Sequence, residues 1–280
     1  MSFPLSLSTG CLAHLPLRYV FRLASQCGFD GLELVRTPTV ALLRPSYILR
    51  LSEQYHLPIL GVHPSVIPYP GYDRTARILP GLVDLACHLA SPLVVVHTPK
   101  TRERDQPDTE EFIDALLREK ERALPGVVVT LENAGLYGPE DACYYLHDVH
   151  HLRELADQHD VSLTFDTSHA GTSPEGLEGC YGILRDRVVN IHLSDLLPRR
   201  LRPNWRPLQT LLVHHQLPGQ GTLPLAGFLG RLARDGYSGI LTLEPSPVAL
   251  HAYSLARVEE RLQHAVSFVR QALVDEAPSG

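Results

Sequence analysis

Acidic residues and histidines stand at or near the ends of seven of the eight short apolar runs in the sequence. The run VSLTFD, for example, ends at Asp166, and His169 follows three residues later. One such ending is typical of a helix cap, because Asp, Ser and Thr side chains accept hydrogen bonds from free N–H groups at a helix start. Seven coincident endings instead indicate a common site. The residues at these endings are Glu33, His63, His97, Glu132, Asp166, His192 and Glu244.

Three carboxylates and one imidazole of this set have the chemistry of a metal site. Carboxylates gathered in a partly dry pocket repel one another unless a positive charge lies among them. Glu132, Asp166, Glu244 and His192 would give one divalent ion a hard, oxygen-rich donor set. Such a set favours Mn²⁺ or Mg²⁺ and also accepts Zn²⁺ or Co²⁺. The alternative is that each acid caps the following helix and each histidine packs in the core.

The apolar runs alternate with helical patterns along the whole chain. Stretches such as EEFIDALLREKERAL (110–124) and LPLAGFLGRLARDG (223–236) have the apolar spacing of an amphipathic helix. The runs between such stretches are rich in β-branched residues and are predicted to be strands. The predicted strands are residues 3–8, 30–35, 58–63, 92–97, 126–133, 161–166, 187–193 and 239–244.

This alternation predicts an α/β fold with a parallel sheet, because strands that are covered by helices on both sides read as nearly continuous apolar runs. Eight units predict a single (β/α)₈ TIM barrel, and a doubly wound open sheet is the alternative. In a barrel, the carboxyl ends of all strands meet at one mouth. The intervals 63 to 97, 97 to 132 and 132 to 166 each span about one strand-helix unit.

One domain is predicted over residues 1–273, with a flexible tail at 274–280, because no linker or change of composition divides the chain. The connection over residues 195–222 exceeds ordinary loop lengths and indicates either a functional loop or disorder. It contains Arg199, Arg200, Arg202 and Arg206 around the single tryptophan, Trp205. A charged surface loop or a lid that offers a guanidinium to a substrate anion would both explain it.

Composition and charge exclude several classes of protein. The net charge of −6 with 44% apolar residues describes a soluble globular chain without a basic face, so nucleic acid is not the expected partner. The five cysteines are scattered, which predicts neither a disulfide framework nor a thiolate zinc site and fits a reducing cytoplasm. No run of 18 apolar residues occurs, so no membrane span is expected. The oligomeric state, including a homo-oligomer, is left open.

Six stretches together resemble the xylose isomerase-like TIM-barrel superfamily, which includes sugar-phosphate isomerases and epimerases and the endonuclease IV group. The similarity spans nearly all of the chain and depends on the order and spacing of the motifs. These motifs are FDGLELV, VVVTLENAG, TFDTSHA, NIHLSD, HQLPGQG and LTLEPSP. The resemblance implies that the metal ligands Glu, Asp, His and Glu come from strands five to eight. They match Glu132, Asp166, His192 and Glu244.

For a sugar isomerase or epimerase, the resemblance implies that Glu132 and Glu244 act as base and acid on opposite sides of a carbon alpha to a carbonyl. The reaction passes through an enediolate, and the substrate is a small sugar, polyol or sugar phosphate. His169 would orient a substrate oxygen, and Asp195 matches the H-x-x-D pattern as a substrate-binding or supporting residue. Glu33, in FDGLELV, resembles the sugar enzymes more than the nucleases.

Two other functions are kept as alternatives. The endonuclease IV relatives use a three-metal zinc cluster at abasic DNA sites, and their additional ligands would match His63, His97, His169 and His215. His63 and His97 also occur in sugar-acting members of the superfamily, and in a sugar enzyme all four histidines would bind substrate or support the residues that do. The Asp that those enzymes carry two residues before the loop histidine is replaced here by Val213, which leaves the third metal short of a ligand. A barrel that binds a metabolite without catalysis is the other alternative.

Two loop cations and one thiol complete the candidates. Lys100 and Arg102 follow His97 closely and could contact a substrate anion, although exposed loop cations are usually solvated. Cys11 follows the first predicted strand, and the sequence suggests packing rather than nucleophilic catalysis because no partner for a catalytic triad is indicated.

Overall fold

The computed structural model describes residues 3–65, 75–199, 201–202 and 205–275. Eight parallel strands pair in chain order, and the last pairs with the first, so the sheet closes into a barrel. The predicted (β/α)₈ barrel is confirmed, and the open-sheet alternative is wrong. The strands are β1 (Leu5–Ser8), β2 (Gly31–Arg36), β3 (Ile59–Pro64), β4 (Leu93–His97), β5 (Val128–Glu132), β6 (Ser162–Asp166), β7 (Val188–Leu193) and β8 (Ile240–Leu243).

Helices follow each strand and form the outer layer of the barrel. The described helices are α1 (Leu17–Cys27), α2 (Pro38–Ala41), α3 (Pro45–Tyr55), α4 (Thr75–Leu89), α5 (Pro107–Arg122), α6 (Val149–Gln158), α7 (Thr167–Ala170), α8 (Gly176–Leu184), α9 (Arg206–Leu212), α10 (Leu225–Arg234) and α11 (Leu255–Asp275). Predicted helix 110–124 begins three residues earlier in α5, where Pro107 occupies the first turn and needs no hydrogen-bond partner for its nitrogen. Among the described helices, none is both long and apolar enough to cross a bilayer.

The inward side chains form two stacked layers because side chains on one face of a strand recur every second residue. The lower layer is polar and hydrogen-bonded. Thr130 and Thr164 lie 2.7 Å apart through their hydroxyls, Asn190 donates to Thr164 at 3.3 Å, and Thr242 donates to Asn190 at 3.1 Å. Two residues further along the same strands, the upper layer holds the predicted ligands Glu132, Asp166, His192 and Glu244.

The apolar core lies between the barrel and the helices. Phe165 of β6 is fully buried, with ring centroids 5.6 Å from Tyr181 of α8 and 5.8 Å from Phe228 of α10. Strand β6 therefore has apolar residues facing the helices and polar residues facing the interior. This alternation sets which side chains reach the mouth.

Within the described residues, the long connection after β7 is folded rather than open. It contains α9, and Asp195 pairs with Gln216 across it as an isolated antiparallel bridge. The carboxylate of Asp195 accepts hydrogen bonds from the backbone N–H groups of Leu196, Gly219, Gly221 and Leu223. A Cβ atom at Gly221 would collide with this carboxylate and with the Leu196 carbonyl, so the turn needs glycine.

Two predictions touch residues beyond the described ranges. Helix α11 includes residues 274 and 275, and the rest of the predicted flexible tail, residues 276–280, lies outside the described part of the chain. Arg200 of the arginine-rich connection also lies outside it.

Replacing Phe165 by Ala should destabilise the fold by about 3 to 5 kcal/mol, because it removes a fully buried ring and leaves a cavity. Urea unfolding followed by circular dichroism would measure the change. Tyr253, which is 85% exposed, is the matched control, and its change to Ala should cost less than about 0.5 kcal/mol. An equal effect of both substitutions would contradict this account of the core.

Candidate metal centre and active site

Four strand ends bring the predicted ligands into one cluster. Glu132 and Asp166 are the last residues of β5 and β6, His192 is the penultimate residue of β7, and Glu244 directly follows β8. One donor atom from each residue lies within 4.8 Å of the corresponding atoms of the other three. We call these residues the acidic cluster. Its members are buried, and only Glu244, at 14% side-chain exposure, is partly open to solvent.

His192 lies at the centre of the cluster and contacts carboxylates on both sides. Its Nδ1 donates to Glu132 Oε1 at 2.9 Å and lies 3.2 Å from Glu244 Oε2. Its Nε2 donates to Glu33 Oε2 at 2.8 Å. Burial opposes the charged imidazole, but the charges of Glu33, Glu244 and Glu132 outweigh it and raise the pKa of His192 well above its usual value.

The carboxylates respond to this environment in different ways. Burial raises the pKa of Asp166 to about 7, and the neighbouring Glu132 and Glu244 add to the rise while His215 and His192 oppose it. Burial also disfavours the charged form of Glu244, but the positive charge of His192 outweighs it and lowers the pKa of Glu244 to about 2. The pocket therefore holds more negative charge than one imidazole can balance.

This arrangement fits a divalent cation. Asp166 Oδ2 is buried and has no hydrogen-bond partner among the described residues, although buried polar atoms almost always have one. Three carboxylates and one imidazole nitrogen are a donor set that divalent metals accept. If a cation binds, a neutral His192 would offer Nδ1 as its ligand atom. The proton of His192 would then be on Nε2, which donates to Glu33.

Glu33 lies beneath the cluster rather than at the open mouth. Its side chain is 1% exposed, and Oε1 has no partner within the described part of the chain. Gly61 of β3 lies beside it, where an added Cβ atom would make an ordinary van der Waals contact with the Glu33 side chain at 3.4 Å. This position suits a residue that orients His192 better than one that touches substrate.

His63 and His97 form a second group of donor atoms with Glu132. Their Nε2 atoms lie 3.2 Å apart, and that of His97 is also 3.2 Å from Glu132 Oε2. His63 Nδ1 donates to the Pro64 carbonyl at 2.7 Å, which directs its Nε2 toward this group. His97 is the more open of the two, with 38% of its side chain exposed.

His169 and His215 form a third group with Asp166. His215 Nδ1 lies 3.9 Å from both Asp166 Oδ2 and Glu244 Oε2, and its backbone has φ 50°, a left-handed conformation that non-glycine residues rarely adopt. His169 Nδ1 donates to the Asn133 carbonyl at 2.9 Å, and its Nε2 accepts from the Tyr137 hydroxyl at 3.1 Å. Both ring nitrogens of His169 therefore have hydrogen-bond partners within the protein.

The structure also brings Tyr137, which the sequence did not single out, to the edge of the site. Tyr137, in the loop after β5, is buried and stacks on His214 with ring centroids 4.4 Å apart. The guanidinium of Arg206 lies over the same ring, 4.5 Å from the Tyr137 ring centroid. The only sequence feature that indicates a role for Tyr137 is its position a few residues after the end of β5.

Three positions that the sequence raised contribute no ligand to the acidic cluster. Asp195 contacts loop backbone, as described above, and not the predicted ligands. Val213 is buried and apolar, so the position offers no donor atom for a third metal. Cys11 donates to the Ser8 carbonyl, and burial, with the charges of Glu244 and Glu33, raises the pKa of its thiol far above the usual value. A neutral thiol is a poor nucleophile.

Comparison with known proteins identifies the family. Residues 21–272 match the profile described as the xylose isomerase-like TIM barrel. The chain belongs to this family. It is 22% identical to fructoselysine 3-epimerase of Escherichia coli O157:H7 over 250 residues, which are 82% of this chain and 86% of that protein.

Solved structures of family members share the barrel. D-psicose 3-epimerase from Clostridium cellulolyticum H10, solved with D-tagatose, has a TM-score of 0.72 and 16% identity over 97% of this chain and 99% of its own. The IOLI protein, solved with a zinc atom, has a TM-score of 0.73 and 18% identity over 99% of this chain and 100% of its own. At these identities, the likeness establishes the shared fold.

Replacing Glu33 by Gln should weaken metal binding about tenfold, because the variant keeps the shape of the side chain but removes the charge that holds His192. Equilibrium dialysis with Mn²⁺ and with Zn²⁺ would measure the dissociation constants. Glu260 is exposed on α11, so its change to Gln is the matched control and should leave both constants unchanged. Unchanged affinity in the Glu33 variant would show that this carboxylate does not support the ligand.

Proposed function

We propose that this protein is a divalent-metal-dependent isomerase or epimerase that acts on a small sugar, polyol or sugar phosphate by proton transfer. The observation that supports this most directly is the pair of glutamates at the acidic cluster. Glu132 and Glu244 approach the same atom, His192 Nδ1, at 2.9 and 3.2 Å. The family relatives named as sugar epimerases provide the second line of support.

The two glutamates are suited to opposite steps of one proton transfer. They come from β5 and β8, which are not neighbours in the ring of strands, so they reach the centre of the mouth from different directions. With a sugar between them, one carboxylate removes the proton alpha to the carbonyl, and the other returns a proton to the opposite face. The result is inversion at that carbon, or isomerisation when the proton returns to the neighbouring carbon.

Glu132, Asp166, His192 and Glu244 would hold the metal, and Mn²⁺ or Mg²⁺ is favoured over Zn²⁺ or Co²⁺ because three of the four donors are carboxylates. The cation would neutralise the negative charge that develops on the substrate oxygen as the proton leaves. His97, at the open side, can hydrogen-bond a substrate hydroxyl. The Tyr137 hydroxyl donates to His169 Nε2 at 3.1 Å and so orients this imidazole, which lies 3.8 Å from Glu132.

A second candidate is supported by the additional donor groups. His63 and His97 with Glu132, and His169 and His215 with Asp166, could each bind a further metal ion, as a phosphodiesterase would need. The net charge of −6 and the apolar Val213 oppose this function. Turnover on an abasic-site duplex together with two or three zinc atoms per chain would favour it.

Changing Glu132 or Glu244 to Gln should lower turnover of the active ketose by about 10²-fold to 10⁴-fold, the usual contribution of a positioned acid or base. The assay is a panel of ketohexoses in D₂O with Mn²⁺, in which deuterium incorporation at the epimerised carbon is followed by NMR. Glu121 is exposed on α5, and its change to Gln is the matched control that should retain activity.

Full deuterium exchange in both glutamate variants would contradict the proposed roles. Exchange that is lost in one variant while the other still exchanges without epimerising would identify which glutamate acts first. Nicking of the abasic duplex with no exchange into any ketose would replace the proposal with the second candidate.

A further inference from the structure

Among the described strands, β1 alone carries neither an acid nor a histidine in it or directly after it. Its polar residues are Ser6 and Ser8, which are fully buried. Ser8 pairs in register with Glu33 of β2, and Ser6 pairs with Thr242 of β8. Because paired positions of neighbouring strands face the same side of a sheet, both hydroxyls lie inside the barrel, beside Glu33 and Thr242.

Three oxygen atoms in this part of the interior have no hydrogen-bond partner among the described residues. They are Ser6 Oγ, Ser8 Oγ and Glu33 Oε1, and all three residues are 0% exposed. Buried polar groups are nearly always hydrogen-bonded, and one that is not lowers the stability of the fold. Three such atoms at adjacent positions of two paired strands indicate one shared partner.

The polar groups on the other side of the interior are bonded directly to one another. Thr130, Thr164, Asn190 and Thr242 form hydrogen bonds that run from β5 to β8. Within the described part of the chain, this series ends at Thr242, although Ser6 is the next residue in register. The strands β1 and β2 therefore need a different way to satisfy their inward polar atoms.

Glycines lie next to the unpartnered oxygens. An added Cβ atom at Gly10, in the turn after β1, would make an ordinary van der Waals contact with Ser8 Oγ at 3.7 Å. One at Gly61 of β3 would contact Glu33 Oε2 at 3.5 Å. Neither position places a side chain against these groups. A buried water molecule needs a small volume of this kind and two to four polar partners.

We infer that Ser6, Ser8 and Glu33 Oε1 bind one internal water molecule beneath the acidic cluster. The water donates to the carboxylate oxygen and exchanges hydrogen bonds with the two hydroxyls, so each of the three oxygens gains a partner. Glu33 Oε2 accepts from His192 Nε2 at 2.8 Å. The water therefore holds the other end of the same carboxylate, and Ser8 is a positioning residue for His192. This inference concerns the metal centre and does not depend on the reaction.

A high-resolution crystal structure tests the site directly. We expect an ordered water within about 3.2 Å of both Ser8 Oγ and Glu33 Oε1, in the metal-free protein and in the Mn²⁺-loaded protein. A direct hydrogen bond between Ser8 Oγ and Glu33 Oε1, or an interior without ordered water at this place, overturns the inference.

Urea unfolding of the metal-free protein provides an independent test, because the sign of the change is decisive. Ser8→Ala removes only the hydroxyl. If that hydroxyl holds a water against a carboxylate, its removal should lower the unfolding midpoint, since Glu33 Oε1 and the water lose a partner. A midpoint that stays the same or rises would mean that the hydroxyl has no partner, and the water site would be rejected.

Metal affinity shows whether the water site acts on His192. Ser8→Ala should raise the Mn²⁺ dissociation constant about threefold to tenfold, because Ser8 is one contact further from the metal than Glu33. In a Glu33→Gln background, the same change should alter the constant less than about twofold, since the charge through which Ser8 acts is gone. Ser91→Ala is the matched control. The buried Ser91 hydroxyl donates to the Leu93 carbonyl at 3.3 Å, at the opposite end of the barrel, so the constant should not change.

The outcomes separate this inference from the proposed function, because none of these measurements uses a substrate. Inactivity on every ketose, with the expected falls in unfolding midpoint and Mn²⁺ affinity for Ser8→Ala, rejects the isomerase function and keeps the water site. Equal Mn²⁺ affinity of the wild type and Ser8→Ala, or an equal effect of Ser8→Ala in both backgrounds, overturns the link to His192 even when ketoses turn over.

Discussion

The mutual repulsion of buried carboxylates around one imidazole is the constraint on which the site depends. Glu33, Glu132 and Glu244 all approach His192, and Asp166 lies beside them with an oxygen that no described residue satisfies. Such a group is stable only with positive charge at its centre. A protonated imidazole provides part of that charge, and a divalent cation would provide more. The same surplus of negative charge that makes the cluster unfavourable alone would favour a bound cation.

The barrel accommodates this cluster because its interior is arranged in layers. A hydrogen-bonded layer of Thr130, Thr164, Asn190 and Thr242 lies directly below the acidic residues and separates them from the apolar packing outside the strands. These hydrogen bonds link β5 to β6, β6 to β7 and β7 to β8, and each of these strands brings its member of the acidic cluster two positions further along. The register in turn sets the distances between the carboxylates. Stability and site geometry are therefore properties of the same strands.

Charge is distributed unevenly across the mouth. The centre is acidic, while Arg206, which is paired with Asp141, lies on the far side of Tyr137 and His169. The family relationship is consistent with sugar chemistry, and the fold alone accommodates many substrates.

The sequence by itself determined the eight strands, their parallel order and the four residues Glu132, Asp166, His192 and Glu244, because alternation along a strand and the convergence of strand ends are local and geometric rules. Only the tertiary structure decided that Asp195 binds loop backbone, that the Tyr137 hydroxyl hydrogen-bonds His169, and that Arg206 lies over the Tyr137 ring. These contacts join loops that are far apart in the chain. Loop conformation depends on which side chains and backbone groups meet in three dimensions, and no periodic pattern encodes that meeting.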